Sequence, residues 1–262
     1  MNTLLYWFSG TGNSLAIARA LAAKLGEGVE LAPMARAIKG HLEDMPAPEC
    51  IGLVYPVYAF GPPRIVADFA GRLKAEPSTF IFTVATCGST PGAAHSIIRG
   101  VLKRRGLRLA AGWTVRMPGN CITLYPSPPE EKQKKLFGRT TAAVDRIARG
   151  VAIRRRGALQ DTVPPFNWLM RPIWRMGVRH FASADRKFRA TDACTHCGLC
   201  ERICPVENVR LVDKRPQWLG HCEQCMACIQ FCPVEAIQYG RKTAGRKRYH
   251  HPAVAAKDLC VR

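Results

Sequence analysis

The sequence lacks the apolar runs that mark membrane-spanning and secreted proteins. No segment approaches the roughly 18 uninterrupted apolar residues that a membrane-spanning helix requires. The N-terminus, MNTLLYWFSG, has no basic segment ahead of its short apolar run, so it does not match a secretory signal peptide. We therefore expect a cytoplasmic protein that uses most of its 12 cysteines to bind metal and not to form disulfides.

Acidic side chains are also scarce. The chain has 19 Asp and Glu residues against 39 Lys and Arg residues, which gives a formal net charge of +20. Most of the excess lies in residues 99–190, which hold 21 basic and 5 acidic side chains. A surface with this charge attracts acidic partners. No helix-turn-helix or RNA-binding signature accompanies the basic residues, so we expect no nucleic-acid partner.

The first 150 residues alternate between strand-like and helix-like segments. Five apolar segments of strand length are TLLYWF, GVELAPM, CIGLVYPV, STFIFTVATCG and LRLAAGWTVRM. Helices are predicted in NSLAIARALAAKLG, RIVADFAGRLK and AAHSIIRGVLKRRG, and a long closing helix over residues 128–151. This order predicts an α/β domain with a parallel sheet covered on both faces. Ligands of such sheets bind beyond the carboxyl ends of the strands, so the loops 9–14, 55–63 and 86–92 are the candidate binding site.

Residues 151–190 combine arginine clusters with aromatic side chains, and Pro172 is expected to interrupt any helix there. The pattern fits either an amphipathic helix at a membrane surface or a linker that packs its aromatic side chains between two domains. We favour the docking linker. The aromatic residues are Phe166, Trp168, Trp174, Phe181 and Phe188.

Eight of the cysteines form one motif that occurs twice. Residues 194–205, CTHCGLCERICP, and 222–233, CEQCMACIQFCP, both read C-x2-C-x2-C-x3-C-P. In this motif the first three cysteines hold one 4Fe-4S cluster and the fourth ligates the other cluster. The predicted ligands are Cys194, Cys197, Cys200 and Cys232 for the first cluster and Cys204, Cys222, Cys225 and Cys228 for the second. Zinc, the alternative, uses two C-x2-C pairs and needs neither the third cysteine nor the proline.

The module around residues 191–240 resembles the bacterial two-cluster ferredoxins, which implies low-potential, one-electron transfer. Between the motifs, VENVRLVDKRPQWLGH predicts a short hairpin that packs the clusters, and VEAIQYG is expected to serve the same purpose after the second motif.

The loop after the first strand has the composition of a phosphate site. A nucleotide-hydrolysing P-loop needs a Lys that is absent here, and a dinucleotide fingerprint needs a third Gly where Leu15 stands. Hydroxyls and backbone N–H groups at a helix N-terminus can hold a monophosphate without a cation. A Gly/Ser turn that binds nothing is the alternative. The loop resembles the one with which flavodoxins hold FMN, which assigns the phosphate to Ser9, Thr11, Gly12, Asn13 and Ser14.

The other two loops supply candidate contacts to a flavin ring. YPVYAFGPP contributes Pro56, Tyr58, Phe60 and Gly61, with Tyr58 as the residue expected to stack on the ring. TCGSTPG contributes Thr86, Cys87, Gly88 and Ser89, whose small side chains let the backbone approach the flavin edge. For each aromatic residue, an ordinary core or surface position is the alternative.

Taken together, SGTGNS, PVYAFGPP, the basic aromatic linker, the two-cluster module and YGRKTAGRKRYHHP resemble the ferredoxin–flavodoxin fusion family of anaerobic bacteria and archaea, the EFR-type ferredoxins. The resemblance implies a flavodoxin-like, doubly wound, five-stranded parallel sheet of order 2-1-3-4-5, followed by an α+β dicluster ferredoxin domain. It divides the chain into an FMN domain (1–150), a linker (151–190), a two-cluster domain (191–240) and a basic tail (241–262). Cys87 departs from the Gly or Tyr expected at its position.

The implied cofactors are FMN and two 4Fe-4S clusters, and the implied function is electron transfer between them. We expect exchange with an acidic redox partner, a ferredoxin or a flavoprotein, and regard contact with a membrane surface as the less favoured possibility. The alternative function is an FMN-dependent reductase of a quinone, nitro compound or enone. No acid–base pair in the sequence identifies such a substrate, so no catalytic residue is predicted.

Overall fold

A computed structural model of the chain describes residues 1–40, 48–157 and 159–261. Its N-terminal part is built on a five-stranded sheet of order β2-β1-β3-β4-β5 in which all neighbouring strands are parallel. The strands are β1 (Thr3–Trp7), β2 (Val29–Pro33), β3 (Cys50–Pro56), β4 (Phe80–Cys87) and β5 (Leu109–Arg116). The predicted α/β class and the strand order 2-1-3-4-5 are confirmed. The strand order reverses between β1 and β3, where doubly wound sheets bind their ligands.

Helices cover both faces of this sheet. They are α1 (Asn13–Leu25), α2 (Met34–Ala37), α3 (Arg64–Arg72), α4 (Ala94–Lys103), α5 (Glu130–Gly138) and α6 (Thr140–Ala152). The apolar residues of α1 and α6 pack on one face of the sheet, and those of α3 and α4 pack on the other. The prediction of a single closing helix over 128–151 is wrong, because the helix is interrupted between α5 and α6. There the hydroxyl of Thr140 donates a hydrogen bond to the carbonyl of Phe137, 2.7 Å away.

The linker contains one long helix, α7 (Phe166–Ala184), which runs through Pro172. The expectation that Pro172 interrupts the helix is therefore wrong. A proline removes the hydrogen bond to the carbonyl four residues earlier, here that of Trp168. Both residues lie on the exposed side of α7, where water can replace the lost bond.

The C-terminal module is made of short elements. They are β6 (Phe188–Ala190), α8 (Leu199–Arg202), β7 (Val209–Val212), β8 (Arg215–Trp218), α9 (Ala227–Gln230) and β9 (Ile237–Tyr239). The predicted hairpin is present as β7 and β8. The segment VEAIQYG forms β9, which pairs antiparallel with β6, so the start and end of the module lie side by side.

The apolar core continues from the sheet layers into this module. Ala227 and Phe231 belong to the same buried cluster as Phe8 and Leu15. Ile122, from the segment after β5, packs with Phe188 and Met226 in a separate cluster. None of the described helices has both the length and the apolar content to cross a membrane.

Candidate functional site

A cavity of about 960 Å³ lies beyond the carboxyl ends of the sheet strands, and the three predicted loops form part of its wall. Eleven of the predicted binding residues line it: Ser9, Thr11, Asn13, Ser14, Pro56, Tyr58, Phe60, Thr86, Cys87, Gly88 and Ser89. The other two lie behind the wall. A Cβ built on Gly12 would fall 2.8 Å from the Cβ of Val254, and one on Gly61 would fall 2.3 Å from the ring of Trp174.

The loop 9–14 leads directly into α1. Gly12 precedes the helix with φ 93°, a left-handed conformation that favours glycine, and no side chain caps the first turn. The Oγ of Ser9 accepts a hydrogen bond from the Gly12 N–H at 3.0 Å, and the hydroxyls of Ser14 and Thr86 lie 2.8 Å apart. The uncapped N–H groups of α1 and these hydroxyls therefore meet at one end of the cavity, in an arrangement suited to an anion.

The C-terminal tail holds this loop from behind. The hydroxyl of Tyr249 donates to Oδ1 of Asn13 at 2.6 Å, and the N–H of His251 donates to the carbonyl of Thr11 at 2.8 Å. On its other side, Asn13 donates from Nδ2 to the carbonyl of Pro118 at 3.0 Å. Burial raises the pKa of Tyr249 well above its usual range, so the phenol keeps the proton that this hydrogen bond requires. The side chain of Asn13 is thus fixed from two directions.

Tyr58 lies where the cavity meets the C-terminal module. Its ring makes an edge-on contact with Phe8, with 6.3 Å between the ring centroids. A Cβ on Gly10 would lie 2.8 Å from the hydroxyl of Tyr58. Burial, and secondarily the nearby Cys225, raise the pKa of Tyr58 well above its usual range. The predicted stacking of Tyr58 on a flavin ring stays a prediction.

Cys87 ends β4 at the cavity wall. Burial raises the pKa of its thiol to about 11, against the opposing effect of Arg116. The side chain is therefore a neutral thiol at physiological pH and not an activated nucleophile.

The charged side chains in the cavity wall are basic. Lys132, Lys187 and Lys242 line it, and among the described lining residues there is no Asp or Glu. A site of this kind favours an anionic ligand.

Sequence reasoning missed a large part of this wall. The segment 117–129 follows β5 and lines the cavity, and further lining comes from Phe181 in α7 and from Gln224, Met226 and Tyr239 in the C-terminal module. The carboxyl end of β5 meets the same edge as the other strands, so the segment after β5 could have been found by that argument. Nothing in the sequence signals the contribution of the module.

The eight cysteines surround two small cavities in the sets that the motif predicts. One cavity is lined by Cys194, Cys197, Cys200 and Cys232, and the other by Cys204, Cys222, Cys225 and Cys228. Burial raises the pKa of the Cys225 and Cys228 thiols well above the usual range, so both are neutral without a metal. Bound iron would be ligated by the thiolate form of these side chains. No three His, Cys, Asp or Glu side chains of the described residues are placed to hold one metal ion. The cluster assignment therefore depends on the motif spacing and on family matches.

Those matches fall on the two motifs. Residues 190–210 match a family model described as a 4Fe-4S binding domain, and residues 219–240 match a second model with the same description. The chain joins a flavodoxin-like sheet domain to a two-cluster ferredoxin module. The predicted pair of 4Fe-4S clusters is thereby confirmed, while the assignment of individual cysteines stays a prediction.

Three solved structures are similar to part of this chain at low sequence identity. A rubredoxin oxygen:oxidoreductase from Desulfovibrio gigas is 15% identical over 59% of this chain and 37% of its own, with a TM-score of 0.37. A flavodoxin from the domain Archaea is 11% identical over 57% of this chain and 99% of its own, with a TM-score of 0.33. An FMN-dependent NADH-azoreductase from Bacillus anthracis, in complex with FMN, is 10% identical over 56% of this chain and 100% of its own, with a TM-score of 0.34. This chain thus spans little more than a third of the first of these proteins. No curated protein matches it.

The ferredoxin module is fixed to the flavodoxin-like domain through a buried charge. Glu223, between two cluster cysteines, accepts from Nε of Arg64 at 2.9 Å, and its second oxygen lies 3.4 Å from the N–H of Ile65. Its carboxylate therefore sits at the N-terminus of α3, where the helix dipole stabilises negative charge. Gln230 adds a second link, donating from Nε2 to the carbonyl of Asn120 at 2.9 Å.

Proposed function

We propose that this protein is an electron-transfer flavo-iron–sulfur protein of the EFR type that holds FMN in the cavity and relays electrons between FMN and the two clusters. One observation carries the proposal. The cavity has one wall from the loops of the flavodoxin-like sheet and another from Gln224 and Met226 of the second cysteine motif. Clusters supply one-electron exchange, and a flavin accepts one or two electrons.

The residues of the cavity fit FMN on size, charge and shape. Its volume lies at the upper end of the range for small-molecule sites. The loop 9–14 and the first turn of α1 would hold the phosphate. Tyr58, Phe60 and Tyr125 line the cavity and offer aromatic surface to the ring. The three lysines complement the negative charge of the ligand.

The two predicted cluster sites differ in their relation to the cavity. Gln224 and Met226 line it and alternate in sequence with the predicted ligands Cys222, Cys225 and Cys228, which supports a second cluster next to the proposed flavin. Of the predicted ligands of the first cluster, Cys197 is exposed. We therefore assign the first cluster to exchange with an outside partner and the second to exchange with the flavin.

The outside partner in this proposal is an acidic redox protein, a ferredoxin or another flavoprotein. The support is the charge of the chain, +20 in total. Contacts between exposed opposite charges weaken as salt screens them. The rate of reduction by an acidic ferredoxin should therefore fall as ionic strength rises. A rate that is independent of salt would contradict electrostatic docking.

The proposal is tested by measuring iron, acid-labile sulfide and flavin in protein purified anaerobically and supplied with FMN. We expect about eight irons and one FMN per chain. The double variant Thr11→Ala/Ser14→Ala should lose FMN and keep its iron, whereas Ser183→Ala, an exposed position outside the cavity, should keep both. Wild-type protein with full iron and no bound FMN would overturn the flavin assignment.

A second function, reduction of a small organic substrate by the flavin, has one observation in its favour. The cavity volume of about 960 Å³ is at the upper end of the range for small-molecule sites, which favours room for a substrate beside the ring. Turnover of a quinone, nitro compound or enone by the reduced protein, with no protein acceptor present, would support this reductase activity. Electron exchange with proteins alone would support the carrier.

A further inference from the structure

The outer face of α7 carries a continuous apolar stripe that nothing in the chain covers among the described residues. Phe166, Leu169, Ile173 and Met176 are 56%, 59%, 39% and 69% exposed. Their spacing of three and four residues places them on one side of the helix over about three turns. Scattered single apolar residues are normal on a protein surface, but a contiguous stripe marks an interaction site.

A neighbouring face of α7, with Trp174, Gly177 and Val178, holds the helix to the flavodoxin-like domain. Nε1 of Trp174 donates to the carbonyl of Pro62 at 2.7 Å, and its ring fills the space beside Gly61. Gly177 packs against Ala59, where a Cβ on Gly177 would fall 2.7 Å from the Cβ of Ala59, and Val178 is buried. These contacts fix the rotation of the helix, so the stripe points outward in the folded protein.

The charge of α7 is entirely positive. The helix contains Arg171, Arg175 and Arg179, four residues apart, and no Asp or Glu. Trp168, 64% exposed, lies on the arginine side of the helix. The arginines lie on a different side of the helix from the apolar stripe, so α7 is amphipathic. An apolar stripe, a polar face of arginines and no acidic residue is the pattern of helices that lie on anionic lipid surfaces.

We propose that α7 binds the surface of an anionic lipid bilayer. The apolar stripe enters the boundary between headgroups and acyl chains, and the arginines contact lipid phosphates. The stripe forms a convex ridge, which a deformable lipid surface accommodates without a complementary groove. Phe181, in the same helix, lines the large cavity, so the contact surface and the cavity share one element. This inference does not depend on which cofactor the cavity holds.

The test is flotation of the intact holoprotein with lipid vesicles at physiological salt. We expect binding to vesicles of phosphatidylcholine containing about one third phosphatidylglycerol and little binding to phosphatidylcholine alone. The variant Leu169→Gln/Ile173→Gln/Met176→Gln keeps every charge and should bind at least tenfold less. The matched control Ile153→Gln/Val212→Gln/Leu219→Gln changes three exposed apolar residues outside α7 and should bind like the wild type.

Three outcomes would overturn the proposal. Equal vesicle binding by the stripe variant and the wild type would mean adsorption through net charge alone. Self-association of the wild type that the stripe variant lacks, without vesicle binding, would assign the stripe to a second copy of the chain. Binding of an acidic redox protein that the stripe variant loses, again without vesicle binding, would assign it to a protein partner. Circular dichroism of each variant verifies that it is folded.

Discussion

Gly10 and Cys225 approach each other so closely that a side chain on Gly10 would collide with the backbone of Cys225. A Cβ built on Gly10 would lie 2.1 Å from the Cys225 carbonyl oxygen. Gly10 belongs to the loop that we assign to the flavin phosphate, and Cys225 is a predicted ligand of the second cluster. The two proposed cofactor sites therefore share a backbone contact, and the glycine is required by the packing of one domain on the other.

The variant Gly10→Ala should weaken the docking of the ferredoxin module. The added methyl group has to displace a backbone carbonyl, and overpacking of this kind costs about 1–3 kcal/mol. Thermal unfolding should show a lower melting temperature. The control is Gly100→Ala in α4, where a Cβ meets nothing within 4 Å and should leave stability unchanged or slightly higher. Equal melting temperatures of Gly10→Ala and the wild type would show that the contact does not constrain docking.

Glu223→Gln should destabilise the same interface. Burial raises the pKa of Glu223 while Arg64 opposes the shift, so the arginine is the partner that holds the charge in the interface. Removing the charge leaves Arg64 without its anion and α3 without a carboxylate at its N-terminus. Because Arg64 is partly exposed, we expect a loss on the order of 2 kcal/mol in the free energy of unfolding. Urea denaturation measures this loss.

Glu130→Gln is the matched control for Glu223→Gln. It breaks the ion pair between Glu130 and Lys247, whose side chains are 67% and 73% exposed, and should produce no measurable change. An equal effect of the two substitutions would argue that the buried pair contributes no more than a surface pair.

Removing a buried charge near each cluster should shift the reduction potentials of the two clusters in opposite directions. Asp185 is 1% exposed, accepts from Asn208 and Gly220, and has one oxygen without a partner among the described residues. It is one of the charges that, after burial, raise the pKa of Cys222. Asp185→Asn should raise the potential of the second cluster by on the order of 50 mV, because a negative charge beside a cluster disfavours reduction.

Arg248 is the corresponding cation near the first cluster. Its largely buried guanidinium donates to the carbonyl of Ile237 at 3.0 Å, and the predicted ligand Cys232 lies close enough to act on its pKa. Arg248→Gln should lower the potential of the first cluster and leave the second nearly unchanged. Redox titrations followed by electron paramagnetic resonance separate the two clusters. Shifts of equal sign in both variants would contradict this electrostatic asymmetry.

His95 should make the flavodoxin-like domain sensitive to mild acid. Its ring is fully buried between Thr83 at 2.7 Å and Thr114 at 3.1 Å, and burial lowers its pKa from 6.5 to about 4 against the opposing charge of Asp161. The unfolded chain therefore binds a proton that the folded chain excludes. Stability from this group is complete above about pH 6.5 and is lost as the pH falls towards 4.

Between pH 7 and pH 5 we expect a loss of about 2 kcal/mol in the free energy of unfolding from His95 alone. Urea denaturation of wild type and His95→Gln at both pH values isolates this contribution, because acid effects on the clusters are common to both proteins. The same pH dependence in the two proteins would show that His95 does not titrate on unfolding.

Much of the fold follows directly from sequence patterns. The five strands have apolar runs of the right length, and the repeated cysteine motif has the spacing of 4Fe-4S ligands. These features are local, because strand length and ligand spacing are fixed within about ten residues. The break between α5 and α6 and the continuity of α7 through Pro172 were not predictable. The first depends on one hydrogen bond, and the second on which side of the helix faces water.

The predicted site was incomplete for a different reason. The loop 9–14 was found because helix N-termini and hydroxyls form anion sites wherever they occur. Gln224 and Met226 stand between the cysteines of a motif. Metal ligation by the cysteines explains the spacing of that motif, so nothing in the sequence marks Gln224 and Met226 as part of a cavity. Contacts across more than two hundred residues, such as that of Tyr249 with Asn13, follow only from the packed structure.

The attachment of the C-terminal tail to the loop 9–14 has a consequence for how the protein matures. The loop leaves the ribosome more than two hundred residues before Tyr249 and His251, which fasten it. Domains generally fold in order during synthesis. Because the module supplies part of the wall, the cavity is complete only after the module has folded against the sheet.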